Sequence, residues 1–213
     1  LNGLLFEVSG QQLRAVATDG HRLSLAEVDI SNSIDGEKHV IIPRKGVQEM
    51  IRFLDDSDAE VQLQIGANHM RATLKGLTFT SKLIDGRFPD YNRVIPATQS
   101  KRLKVQRASF RETLNRAAIL SNEKYRGVRF GLGSGLMTIT AHNPEQEEAQ
   151  EEVAIDYSGE NMEIGFNVNY ISEAVGALDN DEIEFCLNDP NSSCLLRVPG
   201  NSRHLYVVMP MRL

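Results

Sequence analysis

The chain has 213 residues, of which 41% are hydrophobic and 24% are charged, and its formal net charge at pH 7 is −6. This composition is typical of a globular protein with one large domain or two domains of about 100 residues each. No apolar run approaches the roughly 18 residues that a membrane-spanning helix needs, so we expect no membrane span.

The two cysteines give information about the cellular compartment. Cys186 and Cys194 are eight residues apart, with no Cys-x-x-Cys spacing and no nearby pair of histidines. A disulfide between them is possible but not favoured, and a zinc site is less favoured still. The chain does not open with a basic segment followed by an apolar one, as secretory signals do. We therefore expect a cytoplasmic protein with no metal and no cofactor.

The first part of the chain reads as strands around one helix. Residues 1–8 and 12–18 are β-rich runs separated by a short turn, which predicts a hairpin. Residues 39–45 predict a strand that leads into a helix over residues 45–54, where Val47, Met50, Ile51 and Leu54 recur at helical spacing. Residues 60–80 then predict three short strands.

The same order of elements recurs about 124 residues later. Residues 125–132 and 136–141 predict a second hairpin, residues 162–168 a strand, residues 168–178 a helix and residues 182–208 three strands. Gly and Pro in residues 85–89 predict a loop, and hence a module boundary, just before Asp90. The repeat predicts two α+β modules, over residues 1–90 and 91–213.

The second module has one helix that the first lacks. Residues 108–120 carry Phe110, Leu114 and Ala117 on one side, and Ser109 is the candidate N-cap. The first module begins inside its matching strand. We therefore expect the sequence to be a fragment that lacks at least one strand and one helix.

The charges are strongly segregated along the chain. Residues 93–129 contain ten Lys or Arg and only two acidic residues, whereas residues 130–196 contain fourteen Asp or Glu and no Lys or Arg. Such a division can create a basic surface for polyanions on an otherwise acidic protein. The alternative is that both charged stretches are only solvated surface.

The chain ends in an apolar run, residues 207–213 (VVMPMRL). Chain ends are usually polar and poorly ordered unless they are held in place. Methionine suits a binding groove because its flexible thioether adapts to different apolar partners. The run is therefore either part of a binding groove or a last strand packed in the core.

Six ordered stretches spread over the whole chain carry a family resemblance. They are residues 16–23 (VATDGHRL), 42–46 (IPRKG), 85–91 (DGRFPDY), 119–124 (ILSNEK), 143–147 (NPEQE) and 206–213 (YVVMPMRL). Together they resemble the bacterial sliding clamp, the beta subunit of the replicative DNA polymerase III holoenzyme. The chain looks like most of the second domain and all of the third domain of that family.

The resemblance implies a fold and a function. Family members have three similar domains per subunit, with helices on the inner face and antiparallel sheets outside, and two subunits close head to tail into a ring. The ring encircles duplex DNA without sequence specificity, after a clamp loader opens it. It is a non-catalytic processivity factor that tethers DNA polymerases and repair proteins. By itself this chain is then expected to be mostly monomeric and not to load on DNA.

The resemblance also implies a groove between the second and third domains that receives a partner peptide of the Gln-Leu-x-Leu-Phe type. A deep apolar subsite would be lined by Thr18, Leu23, Pro89, Val94, Val207 and Met209. A shallower subsite would be lined by His21, Asn167, Tyr170, Met211 and Arg212, with Gly20, Arg22, Arg93 and Pro210 at the walls and Ser193 near the rim.

Two further sets of residues follow from the resemblance. The residues expected to face DNA phosphates are Arg44, Lys45, Arg52, Arg107 and Arg111. The residues expected at the subunit contact are Ile119, Leu120, Glu145, Glu147 and Glu151, whose carboxylates would have no partner within this chain.

Three other classes of protein are weighed against the clamp. An enzyme is disfavoured because the chain contains no GxSxG, P-loop or HExxH motif, and the carboxylates of residues 145–152 look like one solvated run without a partner base. Asp19 and His21 together supply no third metal ligand. A peptide-binding module unrelated to DNA would keep the groove without the basic helix surface. A β-rich structural protein is disfavoured by the apolar C-terminus.

Overall fold

A computed structural model describes residues 2–55 and 57–212. Leu1, the first residue of the first predicted strand, and Leu213, the last residue of the apolar run, lie outside the described residues. The described chain forms two compact units. The first holds the residues up to Asp19 together with Leu25–Asp90, and the second holds Gly20–Ser24 together with the residues from Tyr91 onward.

The first unit contains two long strands, a helix and a small sheet. Its elements are β1 (Gly3–Thr18), β2 (Arg22–Pro43, which starts in the second unit), α1 (Arg44–Phe53), β3 (Gln62–Ile65), β4 (His69–Leu74) and β5 (Leu77–Lys82). β1 and β2 are neighbours in one sheet, and β3, β4 and β5 form a separate antiparallel sheet. The short turn predicted between residues 8 and 12 does not interrupt the strand, because β1 continues through Gly10. The φ of Gly10 is 55°, which glycine adopts without steric cost.

Helix α1 packs through one narrow face. Met50 and Gly46 are buried, and Met50 joins Phe6, Ile42 and Met70 in the core of this unit. The helical spacing of the apolar residues predicted the helix, but not all of them are buried: Ile51 is 66% and Leu54 is 39% exposed. The helix ends at Phe53, so Leu54 lies past its last turn in extended backbone.

The second unit is built on one antiparallel sheet. Its elements are β6 (Lys101–Gln106), α2 (Arg107–Ile119), β7 (Gly127–Gly133), β8 (Leu136–His142), β9 (Glu148–Asp156), β10 (Met162–Asn167), α3 (Val168–Ala177), β11 (Glu182–Leu187), β12 (Cys194–Arg197) and β13 (His204–Val208). The strands follow the order β13-β12-β11-β6-β9-β8-β7-β10. A single 3-10 turn, Tyr91–Arg93, precedes them.

The core of the second unit is aromatic at its centre. Phe110 of α2 packs edge-to-face on Phe185 and Phe130, with ring centroids 5.3 and 6.0 Å apart, and Phe130 packs in the same way on Phe166 at 5.3 Å. All four rings are buried. Such pairs add about 0.5–1.5 kcal/mol each beyond the area they bury, so they fix α2 on the sheet.

The start of α2 differs from the prediction. Gln106 occupies the N-cap position and makes no side-chain cap hydrogen bond. Ser109 lies inside the first turn, where its hydroxyl donates to the carbonyl oxygen of Gln106 at 3.1 Å. Serine can therefore bind a backbone group near a helix start without being the cap.

The predicted internal repeat is visible in the elements. α3 begins 124 residues after α1, and each helix directly follows a strand. β11, β12 and β13 pair antiparallel in sequence, as β3, β4 and β5 do. The predicted α+β class with antiparallel sheets is confirmed. Within residues 2–55 and 57–212, no helix has the length and apolar character needed to cross a membrane.

Candidate functional site

The C-terminal segment is held beside His21 and Gly165 by backbone hydrogen bonds. The Met209 N–H donates to the carbonyl oxygen of His21 at 2.9 Å, and the Met211 N–H donates to that of Gly165 at 2.9 Å. Val207 and Val208 are buried in β13, whereas Met209 and Met211 are half-buried. The first residues of the apolar run are therefore a core strand, as one of the two alternatives predicted, and its last residues form a half-buried surface held by backbone hydrogen bonds.

A cluster of polar and aromatic side chains adjoins this segment. The rings of His21 and Tyr170 are stacked, with centroids 6.2 Å apart and planes inclined by 20°. The Arg22 guanidinium lies 4.5 Å from the centroid of the Tyr170 ring, and its Nη1 lies 2.6 Å from the Glu173 carboxylate. Gly20, with a φ of 89°, provides the turn that brings His21 and Arg22 to this place. The arrangement presents a half-buried aromatic face with its orientation fixed.

Asn167 has a structural role that the sequence reasoning missed. Its side-chain oxygen accepts from the backbone N–H groups of Asn169 at 2.9 Å and Tyr170 at 3.4 Å, which makes it the N-cap of α3. Its side-chain nitrogen donates to the carbonyl oxygen of Tyr125 at 3.2 Å. An Asn directly before a helical apolar pattern is an N-cap signal, and that signal could have found the role.

The apolar residues assigned to the deep subsite differ in exposure. In the second unit, Leu23 and Val207 are buried, at 3% and 1% exposure, whereas Val94 and Met209 are half-buried. Of the wall residues, Pro210 is half-buried and Arg93 is exposed, and Arg212 of the shallower subsite is also exposed. Thr18, half-buried at the end of β1, and Pro89, exposed, belong to the first unit, and only the resemblance assigns them to the site.

The loop before β12 is held by its own side chains. The Asp189 carboxylate accepts from the Asn191 N–H at 2.8 Å and from the Ser192 hydroxyl. These hydrogen bonds, that of the Ser192 hydroxyl foremost, lower the pKa of Asp189. Ser193 follows as a half-buried residue next to Cys194, which pairs with Val208 at the end of β13. The loop is thus ordered up to Ser193, whose place at the rim of a groove stays a prediction.

A basic cavity of about 420 Å³ lies at the far end of the C-terminal segment. Its walls include Met211 and Arg212 together with Arg129 and His142 of the β7–β8 hairpin. Tyr125, which is 56% exposed, forms another wall. All of these residues belong to the second unit.

The five basic residues expected to face DNA differ in their exposure and in their contacts within the chain. Arg44, Lys45 and Arg111 are exposed on helices α1 and α2. Arg52 is exposed and pairs with Glu49 at 2.9 Å. Arg107 is half-buried and donates to the carbonyl oxygens of Val175 at 3.0 Å and Gly176 at 3.1 Å, so its guanidinium binds the C-terminal end of α3.

The residues expected at a subunit contact include an exposed apolar side chain. Ile119, at the end of α2, is 76% exposed, and Leu120 is half-buried. Glu145 is exposed, while Glu147 accepts from the side-chain nitrogen of Asn143 at 2.6 Å.

The expectation that these carboxylates have no partner within the chain is wrong for Glu147 and Glu151. Glu151 of β9 pairs with Arg116 of α2, with the carboxylate oxygen 2.9 Å from Nη2. β9 itself was not predicted, because its acidic residues mask the burial of Val153 and Ile155.

The described residues contain no group of three or more His, Cys, Asp or Glu side chains that could hold a metal ion. Cys186 and Cys194 are free and buried. The candidate site therefore consists of a docked C-terminal segment, an oriented aromatic cluster and a basic cavity.

Comparison with known proteins assigns the family. The family model for the central domain of the DNA polymerase III beta subunit matches residues 1–90, and the model for its C-terminal domain matches residues 92–212. The beta sliding clamps of Pseudomonas aeruginosa and Escherichia coli are 51% and 48% identical over 213 residues, which is 100% of this chain and 58% of each relative. The chain thus spans 58% of the length of these relatives. They give no support to a peptide-binding module unrelated to DNA.

Solved structures agree with this assignment. A crystal structure of the DNA polymerase III subunit beta from Pseudomonas aeruginosa matches with a TM-score of 0.97 and 51% identity, over 100% of this chain and 59% of that one. A Bartonella birtlesii sliding clamp bound to griselimycin matches with a TM-score of 0.94 and 38% identity, over 100% of this chain and 58% of that one. The chain belongs to the DNA polymerase III beta subunit family, the bacterial sliding clamps.

Proposed function

We propose that this chain is the partner-binding part of a DNA sliding clamp, a processivity factor that tethers DNA polymerases and repair proteins to duplex DNA. The observation that carries the proposal is the fixed segment from Met209 to Arg212 beside the stacked rings of His21 and Tyr170. It offers apolar and polar groups together, as a peptide of the Gln-Leu-x-Leu-Phe type requires. Tethering raises the effective concentration of a polymerase at its template without tight contact to DNA.

The energetics of peptide binding are compatible with a few anchor residues. Burial of a Leu or Phe side chain contributes about 1.5–3 kcal/mol. A micromolar complex requires about 8 kcal/mol in total, so two or three anchors with several hydrogen bonds suffice. Met209 and Val94 are half-buried and can gain burial on binding, whereas Leu23 and Val207 are already buried and support the surface from below.

Contact with DNA would use exposed cations. Arg44, Lys45 and Arg111 are exposed, and contacts from such residues to phosphates are salt-dependent and without sequence preference, as sliding requires. Arg52 and Arg107 are already engaged within the chain, so they contribute less.

Ring assembly and loading belong to the same proposal. We infer that the whole protein is a homodimer that a clamp loader opens, with Ile119 buried at the subunit contact, and that it works in the cytoplasm, where bacterial DNA is replicated. Glu151 would face the other subunit as half of its pair with Arg116.

Fluorescence anisotropy tests the peptide site. A labelled peptide containing Gln-Leu-Ser-Leu-Phe should bind this chain saturably at micromolar concentration, and replacement of its Leu and Phe residues by Ala should abolish binding. Met209→Asp should abolish binding as well, since it places a carboxylate on the apolar surface. The matched control is Leu136→Asp, which adds the same charge at a 39% exposed apolar residue outside the site and should leave affinity unchanged. Absence of binding by the folded chain would contradict the proposal.

A further inference from the structure

In the basic cavity beside the C-terminal segment, Tyr125, Arg129 and His142 have no role in the function proposed above. It has a volume of about 420 Å³, within the range of about 300–1,000 Å³ that is typical of ligand sites. We propose that this cavity binds acidic residues that precede the Gln of the partner peptide. The inference rests on the proposed function, since it extends the same peptide beyond its anchors.

The cavity has the electrostatic character that an acidic ligand needs. Arg129 and Arg212 line it together with His142, and among the described lining residues none is acidic. Arg129 has a partner outside the cavity lining in Glu163, but the two charged groups are 3.7 Å apart and are 46% and 71% exposed. A long, solvent-screened pair of this kind contributes little, so the Arg129 guanidinium keeps donors for a ligand carboxylate.

The cavity is continuous with the proposed peptide site. Met211 and Arg212 line the cavity and also belong to the shallower subsite. The Met211 N–H bonds the carbonyl oxygen of Gly165, which fixes the backbone that joins the two places. The Asn167 side chain bonds the backbone of Tyr125, another wall of the cavity. A bound peptide can therefore pass from one place to the other along a fixed surface.

The direction of the peptide follows from its own chemistry. The Leu-Phe end of the motif is apolar and suits the surface around Met209 and Val94. The Gln end is polar and suits the side of the site where His21 and Arg212 offer hydrogen-bonding groups. An extended chain advances about 3.3 Å per residue, so two residues before the Gln span about 7 Å beyond it. Those residues, and not the ones after the Phe, reach the cavity.

Three labelled peptides test the inference by anisotropy at 50 mM salt. One has Glu-Glu before Gln-Leu-Ser-Leu-Phe, one has Gln-Gln at the same place, and one has Glu-Glu after the Phe. The first should bind three- to tenfold more tightly than the second, and the third should show no such gain. Because the added contacts are exposed, the gain should shrink below twofold at 0.5 M salt.

A pair of charge-matched variants locates the effect. Arg129→Gln should remove at least half of the gain and leave binding of the Gln-Gln peptide unchanged. Lys104→Gln removes the same charge outside the cavity, from a pair with Glu182 at 3.5 Å, and should keep the full gain. The proposal would be overturned if Glu-Glu raised the affinity equally at both ends of the peptide, or if the Arg129→Gln variant kept the full increase. Either result would indicate a general attraction between the acidic peptide and the protein surface. If the Gln-Gln peptide itself does not bind, the proposed function fails, and this inference falls with it.

Discussion

The guanidinium of Arg22 lies 4.5 Å from the centroid of the Tyr170 ring while its Nη1 lies 2.6 Å from Glu173. Glu173 is three residues after Tyr170 on α3, so the two residues lie on the same face of the helix. The Arg22 side chain therefore contacts this face at two neighbouring points. Arg22 and Glu173 are 151 residues apart in the chain. The pair orients the ring that stacks on His21 at the proposed peptide site.

Arg22→Met should weaken binding of the Gln-Leu-Ser-Leu-Phe peptide about three- to tenfold. The substitution keeps an apolar side chain but removes a cation–π contact worth about 0.5–1 kcal/mol at an exposed site and an ion pair of about 0.2–1 kcal/mol. Anisotropy measures the affinity, and a melting curve checks that the chain remains folded. Lys104→Gln serves as the control that loses a charge elsewhere. Unchanged affinity in a folded Arg22→Met variant would show that Tyr170 needs no such restraint.

Arg197→Met should destabilise the chain by about 3–5 kcal/mol in chemical denaturation. Glu184 and Arg197 face each other on β11 and β12, with 2.6 Å between Nε and the carboxylate and side chains only 8% and 14% exposed. Removal of the arginine leaves a buried carboxylate without its charge partner. The double variant Glu184→Met with Arg197→Met should recover most of the loss. A double variant no more stable than the single one would contradict this reading.

Cys186 and Cys194 should react with a thiol reagent at pH 8 at least tenfold more slowly in the folded chain than in denaturant. Burial raises the pKa of Cys186 to about 11 and that of Cys194 well above the ordinary value of 9.0, so neither forms the reactive thiolate. Because the pKa of Cys186 is higher in the folded chain than in the unfolded chain, this thiol loses its proton at a lower pH when the chain is unfolded. The free energy of unfolding should therefore fall as pH rises from about 9 to 11. Fast reaction of either thiol in the folded chain would contradict the burial.

Gly46→Ala should lower the free energy of unfolding by about 1–3 kcal/mol, although alanine favours helices by about 1 kcal/mol over glycine. A Cβ at Gly46 in α1 would lie 2.5 Å from Ser81 Oγ and 3.1 Å from Ile42 Cγ2. Gly176→Ala in α3 is the matched control, since apart from its chain neighbours and the nearby backbone of its own helix no atom lies within 4 Å of the added Cβ, and it should stabilise the chain by about 0.5–1 kcal/mol. Equal effects of the two substitutions would show that α1 has room to shift.

Local patterns were enough to predict the helices and most strands. The spacing of Phe110, Leu114 and Ala117 predicted α2, and the 124-residue repeat predicted that α3 would follow a strand as α1 does. β9 was missed because Glu148, Glu151 and Glu152 make the start of the strand resemble a solvated run, which hid the burial of Val153 and Ile155. A strand with one exposed face is better predicted from the alternation of apolar and polar residues than from their mean polarity.

Contacts between distant residues could not be predicted from local patterns. The Arg116 to Glu151 pair joins a helix to a strand, and Arg107 binds carbonyl groups at the end of α3, 68 and 69 residues away. Such pairings depend on how elements pack, which charge counts along a sequence do not contain. The site residues themselves came from the family resemblance and not from spacing.

Methyl NMR of the methionines tests the central claim most directly, because it locates the peptide as well as detecting it. The chain has six methionines, of which Met209 and Met211 lie at the proposed site and Met50, Met70, Met137 and Met162 are buried elsewhere. On titration with the Gln-Leu-Ser-Leu-Phe peptide, we expect the Met209 and Met211 methyl signals to shift saturably and the other four to stay in place. Binding without a shift at Met209 or Met211, or with its largest shifts at the buried methionines, would contradict it.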